Sequence, residues 1–286
     1  MPHKIKGESI LSRINRHYNS LPPSERKLAD LIVDFPGEIP SYSATELAKL
    51  ADVSKAAATR LFRRLGYESY EQARRLAREE QVWGPPLYKI SQPLAIDIED
   101  AFLRCEMEQQ IKNMAQTFEA IQPAKMEKIA KNLSQARTIW LLGYRNSNFI
   151  AAYACSQFLQ VRSQVQLMIS EGTTLAEQIV NLQSDDIVVA VGFRRRTTRF
   201  IQALKSIHAR KVPILYITEP NVGASMNYAK WMLHAEVTGS GPFDSYPAAF
   251  SLIHLLSIAM LKQSGREGRS RIKSIEDLHT ELHDFD

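Results

Sequence analysis

Four short runs in the second half of the chain are apolar at nearly every position: Thr138–Leu142 (TIWLL), Val165–Ile169 (VQLMI), Ile187–Val191 (IVVAV) and Pro213–Ile217 (PILYI). A strand with one wet face alternates apolar and polar residues. A strand without alternation is covered on both faces, which is the condition of a parallel sheet between helices. Helical stretches at 146–160, 173–182 and 198–210 fall between these runs. A weaker fifth run lies at Trp231–His234, and a long helix at 246–263 closes the series. The expectation is a doubly wound α/β sheet over residues 137–265. Ligands of such sheets sit beyond the carboxyl ends of the strands, where helix N-termini favour anions.

The first half reads differently. Amphipathic helices are expected at 8–20 and 23–35, the second opened by Pro22-Pro23-Ser24-Glu25 and carrying Leu28, Leu31, Ile32 and Phe35 at helical spacing. Pro36, Gly37 and Pro40 end it. Shorter helices follow at 44–50 and 55–65. The stretch 83–94 (WGPPLYKISQPL) has the composition of a linker. Helices resume at 97–121, with an apolar stripe of Phe102, Leu103, Met107, Ile111, Met114 and Phe118, and at 123–134. The fold class is therefore α followed by α/β. An all-helical domain spans 1–82, a linker 83–96, connecting helices 97–136, the sheet domain 137–265 and a C-terminal tail 266–286. A chain of 286 residues holds two such cores comfortably.

Positive charge gathers at the front. Residues 1–90 hold 15 Lys and Arg against 11 Asp and Glu, and residues 44–78 hold 8 against 4. Cys105 and Cys155 are far apart and form no metal or disulfide pattern, which suits a reducing, cytoplasmic setting; both read as small packed residues. The longest apolar run, Ala248–Leu261, is broken by Ser251, His254 and Ser257 and is too short for a membrane span.

The sharpest local signal is Ser43–Gly66 (SATELAKLADVSKAAATRLFRRLG). Ala48 is small where two helices must approach, Ala51-Asp52-Val53 is a tight connection, and Ser54 is a good N-cap for the second helix. Leu61 and Leu65 face inward and Gly66 ends the helix. Such a helix-turn-helix lays its second helix in the major groove of double-stranded DNA. Ser54 lies at its start. Lys55 and Thr59 are the candidates for base contacts, Arg60 for guanine or phosphate, and Arg63 and Arg64 for the phosphate backbone. The competing reading is a helical hairpin with a solvated basic face.

The run from Leu21 to Gly66, with LPPSERKLADLIV, TELAKLADVS and TRLFRRLGY, resembles the N-terminal domain of the MurR/RpiR family of bacterial transcription regulators. Ser54, Thr59-Arg60 and Leu65-Gly66-Tyr67 carry the match. Ala57 and Ala58 stand where that family usually has Thr and Val. The resemblance implies a sugar isomerase (SIS) domain after the linker, binding a small anionic metabolite, a sugar phosphate or another. It also implies a cytoplasmic homodimer or homotetramer acting as a repressor, with no catalytic residue and no cofactor.

Three loops are the candidates for that effector site. Gly143-Tyr144-Arg145-Asn146-Ser147 follows the first strand; Arg145 replaces a glycine usual in SIS domains, and Ser147 could donate to an anion or simply cap the helix. Gly192-Phe193-Arg194-Arg195-Arg196-Thr197 follows the third run. Thr197 alone survives from the usual hydroxyl-rich pattern, with Arg194 and Arg195 as replacement anion ligands. A solvated charge run is the alternative. Gly239–Tyr246 brings Ser245 towards the pocket, while Asp244 could be a helix cap.

An isomerase-like enzyme remains the alternative function, since sugar isomerisation needs a base and Glu171 and His254 could be nominated. A surface loop carboxylate and a packed core histidine are the plainer readings. His279 and His283 do not form a zinc motif with Glu281, and no metal site is expected.

Overall fold

A computed structural model describes residues 10–34, 42–80, 100–168, 172–194, 196–220, 224–239 and 243–285. The linker expected at 83–96 lies outside them, as do Phe35–Pro40, Glu171 and Arg195.

Among the described residues five α-helices build the first domain: α1 (Ile10–His17), α2 (Pro23–Asp34), α3 (Ala44–Leu50), α4 (Lys55–Arg64) and α5 (Tyr70–Glu80). Leu28, Ile32, Leu47, Leu61 and Phe62 share one core, with the Tyr70 ring edge-on to Phe62 at 4.9 Å between centroids. The sequence reading missed α5. Its segment (YEQARRLAREE) is dominated by charge, and only Tyr70 and Ala73 among its described side chains are fully buried. Ser69, whose hydroxyl accepts from the Gln72 backbone N–H at 3.1 Å, marks its start.

Two helices, α6 (Asp100–Glu119) and α7 (Pro123–Gln135), lead into the sheet domain. There the order is β1 (Ile139–Gly143), α8 (Asn146–Val161), β2 (Val165–Leu167), α9 (Leu175–Val180), β3 (Ile187–Val191), α10 (Thr198–Ala209), β4 (Ile214–Thr218), a 3-10 turn at Ala224–Tyr228, β5 (Trp231–His234) and α11 (Pro247–Leu282). The sheet is parallel throughout, in the order β2-β1-β3-β4-β5. Every residue of β1, β3 and β4 is buried, as unalternating strands require. One core lies under α7, α8 and α11, the other under α10.

Helix α6 has its polar side turned to the protein. Asn113 Nδ2 donates to the Thr238 carbonyl at 2.7 Å, and the Glu236 backbone N–H donates to Thr117 Oγ1 at 2.9 Å. The helix thus satisfies backbone groups that run on from the edge strand β5. Its apolar side is exposed: Leu103 by 63%, Met107 by 56% and Ile111 by 59%.

Helix α11 does not stop where a tail was expected. It kinks at Gly265, whose φ is +55°, and continues to Leu282. The continuation rests on the end of α8. Arg271 Nε donates to the Leu159 carbonyl at 2.8 Å, and a side chain at Gly268 would press on Leu261. Cys105 and His254, expected to be packed inside, are both exposed.

The two domains touch. Helix α2 lies against the 3-10 turn at Ala224–Tyr228, and Asn227 bonds to the Tyr18 hydroxyl. That hydroxyl donates to Asp30 Oδ1 at 2.5 Å. Burial holds the Asp30 carboxyl above the usual carboxylate range and pushes Tyr18 well above the usual phenol value.

Candidate nucleic-acid interface and anion site

The helix-turn-helix is fixed at each joint by its own backbone chemistry. Ser43 and Glu46 form a reciprocal capping box at the start of α3, the Ser43 N–H donating to Glu46 Oε2 at 2.7 Å. These bonds hold the Glu46 carboxyl below its usual range. Asp52 turns the chain with φ +52°, and the Val53 N–H returns to the Ala48 carbonyl at 2.9 Å. Ser54 caps α4 by accepting from the Ala57 N–H at 3.1 Å. At the far end Gly66 takes φ +85°. Its N–H reaches the Arg63 carbonyl and that of Tyr67 the Phe62 carbonyl, a Schellman stop.

This geometry sorts the residues of α4. Ala57 and Ala58 are fully buried, so the position where the family often has Thr faces the core here. Lys55, Thr59 and Arg63 follow one another at one-turn spacing on the exposed side. Thr59 Oγ1 donates to the Lys55 carbonyl at 3.2 Å. Arg60 and Arg64 form a second exposed row, one turn apart, and both are tied to Glu25 of α2. Ser54 stands at the head of the helix with its oxygen already used as the cap.

In the sheet domain the switch point lies between β1 and β3, where the strand order reverses. A Cβ at Gly143 would lie 2.3 Å from the Ser147 carbonyl oxygen, so only glycine lets α8 start this close to β1. Arg145 precedes the helix with φ +55°, its side chain exposed and making no cap. Ser147 is buried. A Cβ at Gly192 would lie 2.5 Å from the Phe200 ring, so the ring leaves no room for a side chain there. Thr197 accepts from the Phe200 N–H at 3.2 Å and so caps α10.

Arg194 and Arg196 do not form a solvated charge run. Arg194, with φ +33°, turns into the protein. Its backbone N–H donates to Glu219 Oε2 at 3.1 Å, and its Nη1 pairs with Asp244 Oδ1 at 2.6 Å. Arg196 is also buried. Its Nε donates to the Tyr216 hydroxyl at 2.6 Å, and its Nη2 to Thr218 Oγ1 at 2.8 Å and Glu219 Oε1 at 2.7 Å. Burial raises the Tyr216 hydroxyl pKa above its usual value. Asp244 is therefore an ion-pair partner and not a cap; Tyr246 precedes α11 and makes no side-chain cap bond. Tyr246 joins the two loops, its ring against Phe193 and its hydroxyl near Asp244 and Asn146. Ser245 is bonded to another element: its hydroxyl donates to Gln110 Oε1 of α6 at 2.5 Å.

Sequence reasoning missed Arg196 and Glu219 as members of this cluster. A carboxylate directly after an all-apolar strand was the available signal. It also missed Arg199. A cleft of about 630 Å³ opens between α9 and α10, bounded by Tyr144, Thr173, Thr174, Arg199 and Gln202 over an apolar floor at Met168.

Residues 8–81 match the helix-turn-helix domain of the rpiR family, and residues 132–259 match the SIS domain. The N-terminal part of the chain is thus a helix-turn-helix domain of the rpiR family, followed by a SIS domain. An uncharacterized HTH-type transcriptional regulator of Escherichia coli, YfhH, is 25% identical over 95% of this chain and 99% of its own. A Haemophilus influenzae regulator of the same description is 24% identical over 94% and 95%. Among solved structures, Vibrio vulnificus NanR complexed with ManNAc-6P superposes with a TM-score of 0.59 at 20% identity, covering 95% of this chain and 98% of that one. The sugar isomerase domain of an RpiR factor from Sphaerobacter thermophilus gives 0.57 at 20% identity, over 60% and 96%. The chain thus joins a helix-turn-helix domain of the rpiR family to an isomerase-like SIS fold, the arrangement of its relatives described as transcriptional regulators. Among the described residues no helix is long and apolar enough to cross a membrane.

Proposed function

We propose that this chain is a cytoplasmic repressor that grips a two-fold operator as a homodimer and changes its grip when a small anionic metabolite binds the SIS domain. The observation that carries the reading is the exposed row Lys55, Thr59 and Arg63 on a helix capped at both ends and seated on its own core. Lys55 and Thr59 reach base edges, Arg60 a guanine or a phosphate, and Ser54, Arg63 and Arg64 the backbone. Binding assays on a duplex selected by the protein from a random pool test it. Loss of selectivity in Lys55→Ala and Thr59→Ala is expected; equal losses on all sequences would remove them as readers.

The outward apolar side of α6 supports the dimer. Pairing two copies antiparallel about a point between Gln110 and Ile111 sets Leu103 opposite Phe118 and Met107 opposite Met114, so the stripe is complementary to itself. Ile111→Asp should give a monomer by sedimentation.

For the effector, the candidates at the ends of β1 and β3 are Arg145, Ser147, Arg194 and Thr197; Ser245 and Arg195 are kept from the sequence pattern alone, Arg195 lying outside the described residues. The ligand named with NanR makes N-acetylmannosamine 6-phosphate the first compound to try. At 100 times its dissociation constant a ligand adds about 2.7 kcal/mol to the folded state, a shift visible in a thermal screen. Loss of that shift in Arg194→Ala places the anion there; an undiminished shift excludes Arg194. The contact of Ala224–Tyr228 with α2, five residues beyond Glu219, supports a direct route between the domains. Asn227→Ala should weaken the metabolite response without removing DNA binding.

A further inference from the structure

We infer that Glu25 is a positioning residue of the DNA-reading surface: it aims Arg60 and Arg64 from behind. The inference rests on the reading of α4 as the DNA-facing helix.

Glu25 sits in the first turn of α2, and its side chain is only 2% exposed. Its two oxygens are divided between two arginines, Oε1 to Arg60 Nε at 3.4 Å and Oε2 to Arg64 Nε at 2.9 Å. Those arginines keep 57% and 43% of their side chains exposed. The anion is inside and the cations are at the surface.

Stability alone does not call for this arrangement. A buried carboxylate is costly to desolvate, and apolar residues of similar volume usually serve a helix packing at least as well. What the trio supplies is direction. A surface arginine is rotationally free, and ordering it when DNA arrives reduces affinity. Here one carboxylate orders two arginines beforehand. Both bonds use Nε, which leaves the Nη groups of each guanidinium for an incoming phosphate or guanine. The trio keeps one net positive charge, so it still attracts a polyanion. Arg63, on the neighbouring row, has no carboxylate partner among the described residues.

The experiment compares wild type with Glu25→Gln on two duplexes, one selected by the wild type from a random pool and one of random sequence, across a salt series. Glu25→Gln is isosteric and removes the charge. The expected result is about a tenfold loss on the selected duplex, with affinity for random duplex unchanged or higher, because one negative charge has gone. The melting temperature should stay near that of wild type. A parallel change on both duplexes, or none, overturns the inference, since a merely structural role moves both together. If Glu25→Gln fails to fold, Glu25→Asp replaces it. That variant keeps the charge but draws the carboxylate back, and it should lose selectivity in the same sense; a wild-type ratio overturns the inference. If the wild type selects no sequence and binds no duplex, the DNA-facing reading of α4 itself falls, which is a distinct result.

Discussion

Each domain carries a pair of arginines held by acidic residues, and the two pairs are opposites. On α4, Arg60 and Arg64 share a single carboxylate, lie at the surface and keep a net positive charge. After β3, Arg194 and Arg196 each have a carboxylate of their own, lie inside and are neutralised. A guanidinium at the surface with half a partner is poised for a polyanion. One inside with a whole partner is part of the framework. Residue type does not separate the two uses; the number and place of the carboxylates does.

The comparison can be broken most forcefully at Arg196. Arg196→Ala leaves Glu219 buried beside Thr218 without its cation and should destabilise the sheet domain by about 3–5 kcal/mol, measured by denaturant unfolding. A loss below about 1 kcal/mol would show that the pair does not hold the framework. Arg60→Ala should do the reverse, costing roughly 1–3 kcal/mol of binding to a selected duplex with little change in unfolding. Arg63→Ala sharpens the contrast within α4. It should weaken binding to all sequences alike and reduce the salt slope by about one, within about 0.5 kcal/mol of wild-type stability.

The smallest effect concerns Glu236, next to the same cluster. Burial, then the neighbouring Glu219, hold its carboxyl above the usual range. The folded state therefore binds this proton more tightly than the unfolded state. Its contribution is fully present below the ordinary carboxylate pKa and is lost as pH rises through the raised one. Glu236→Gln should flatten stability against pH in that window; an unchanged slope would assign it elsewhere.

Much of the fold was legible because the strands and the turn chemistry are local. Three of the four apolar runs became fully buried strands, while β2, at the sheet edge, buries only Val165; Ser54 and Gly66 closed their joints as their positions suggested. Helix α5 escaped because its signal is a cap and two buried residues among charges. The anion site was harder. Arg194, Arg195 and Arg196 are equivalent as letters. What distinguishes Arg194 and Arg196 is Glu219 and Asp244, residues 23 and 50 positions away that only the folded sheet brings near.

The Arg194–Asp244 bond has a consequence for chemical selectivity. Asp244 already occupies the guanidinium, so an anion arriving there binds by exchange rather than addition. Its observed affinity is a difference between two ion pairs. A weakly coordinating anion gains nothing over the resident carboxylate and is turned away, however abundant. A doubly charged group that outcompeted it would set Asp244 loose, three residues before α11 begins. If the proposed effector binds at Arg194, the internal carboxylate sets a threshold, and the domain answers to the strength of an anion rather than to its mere presence.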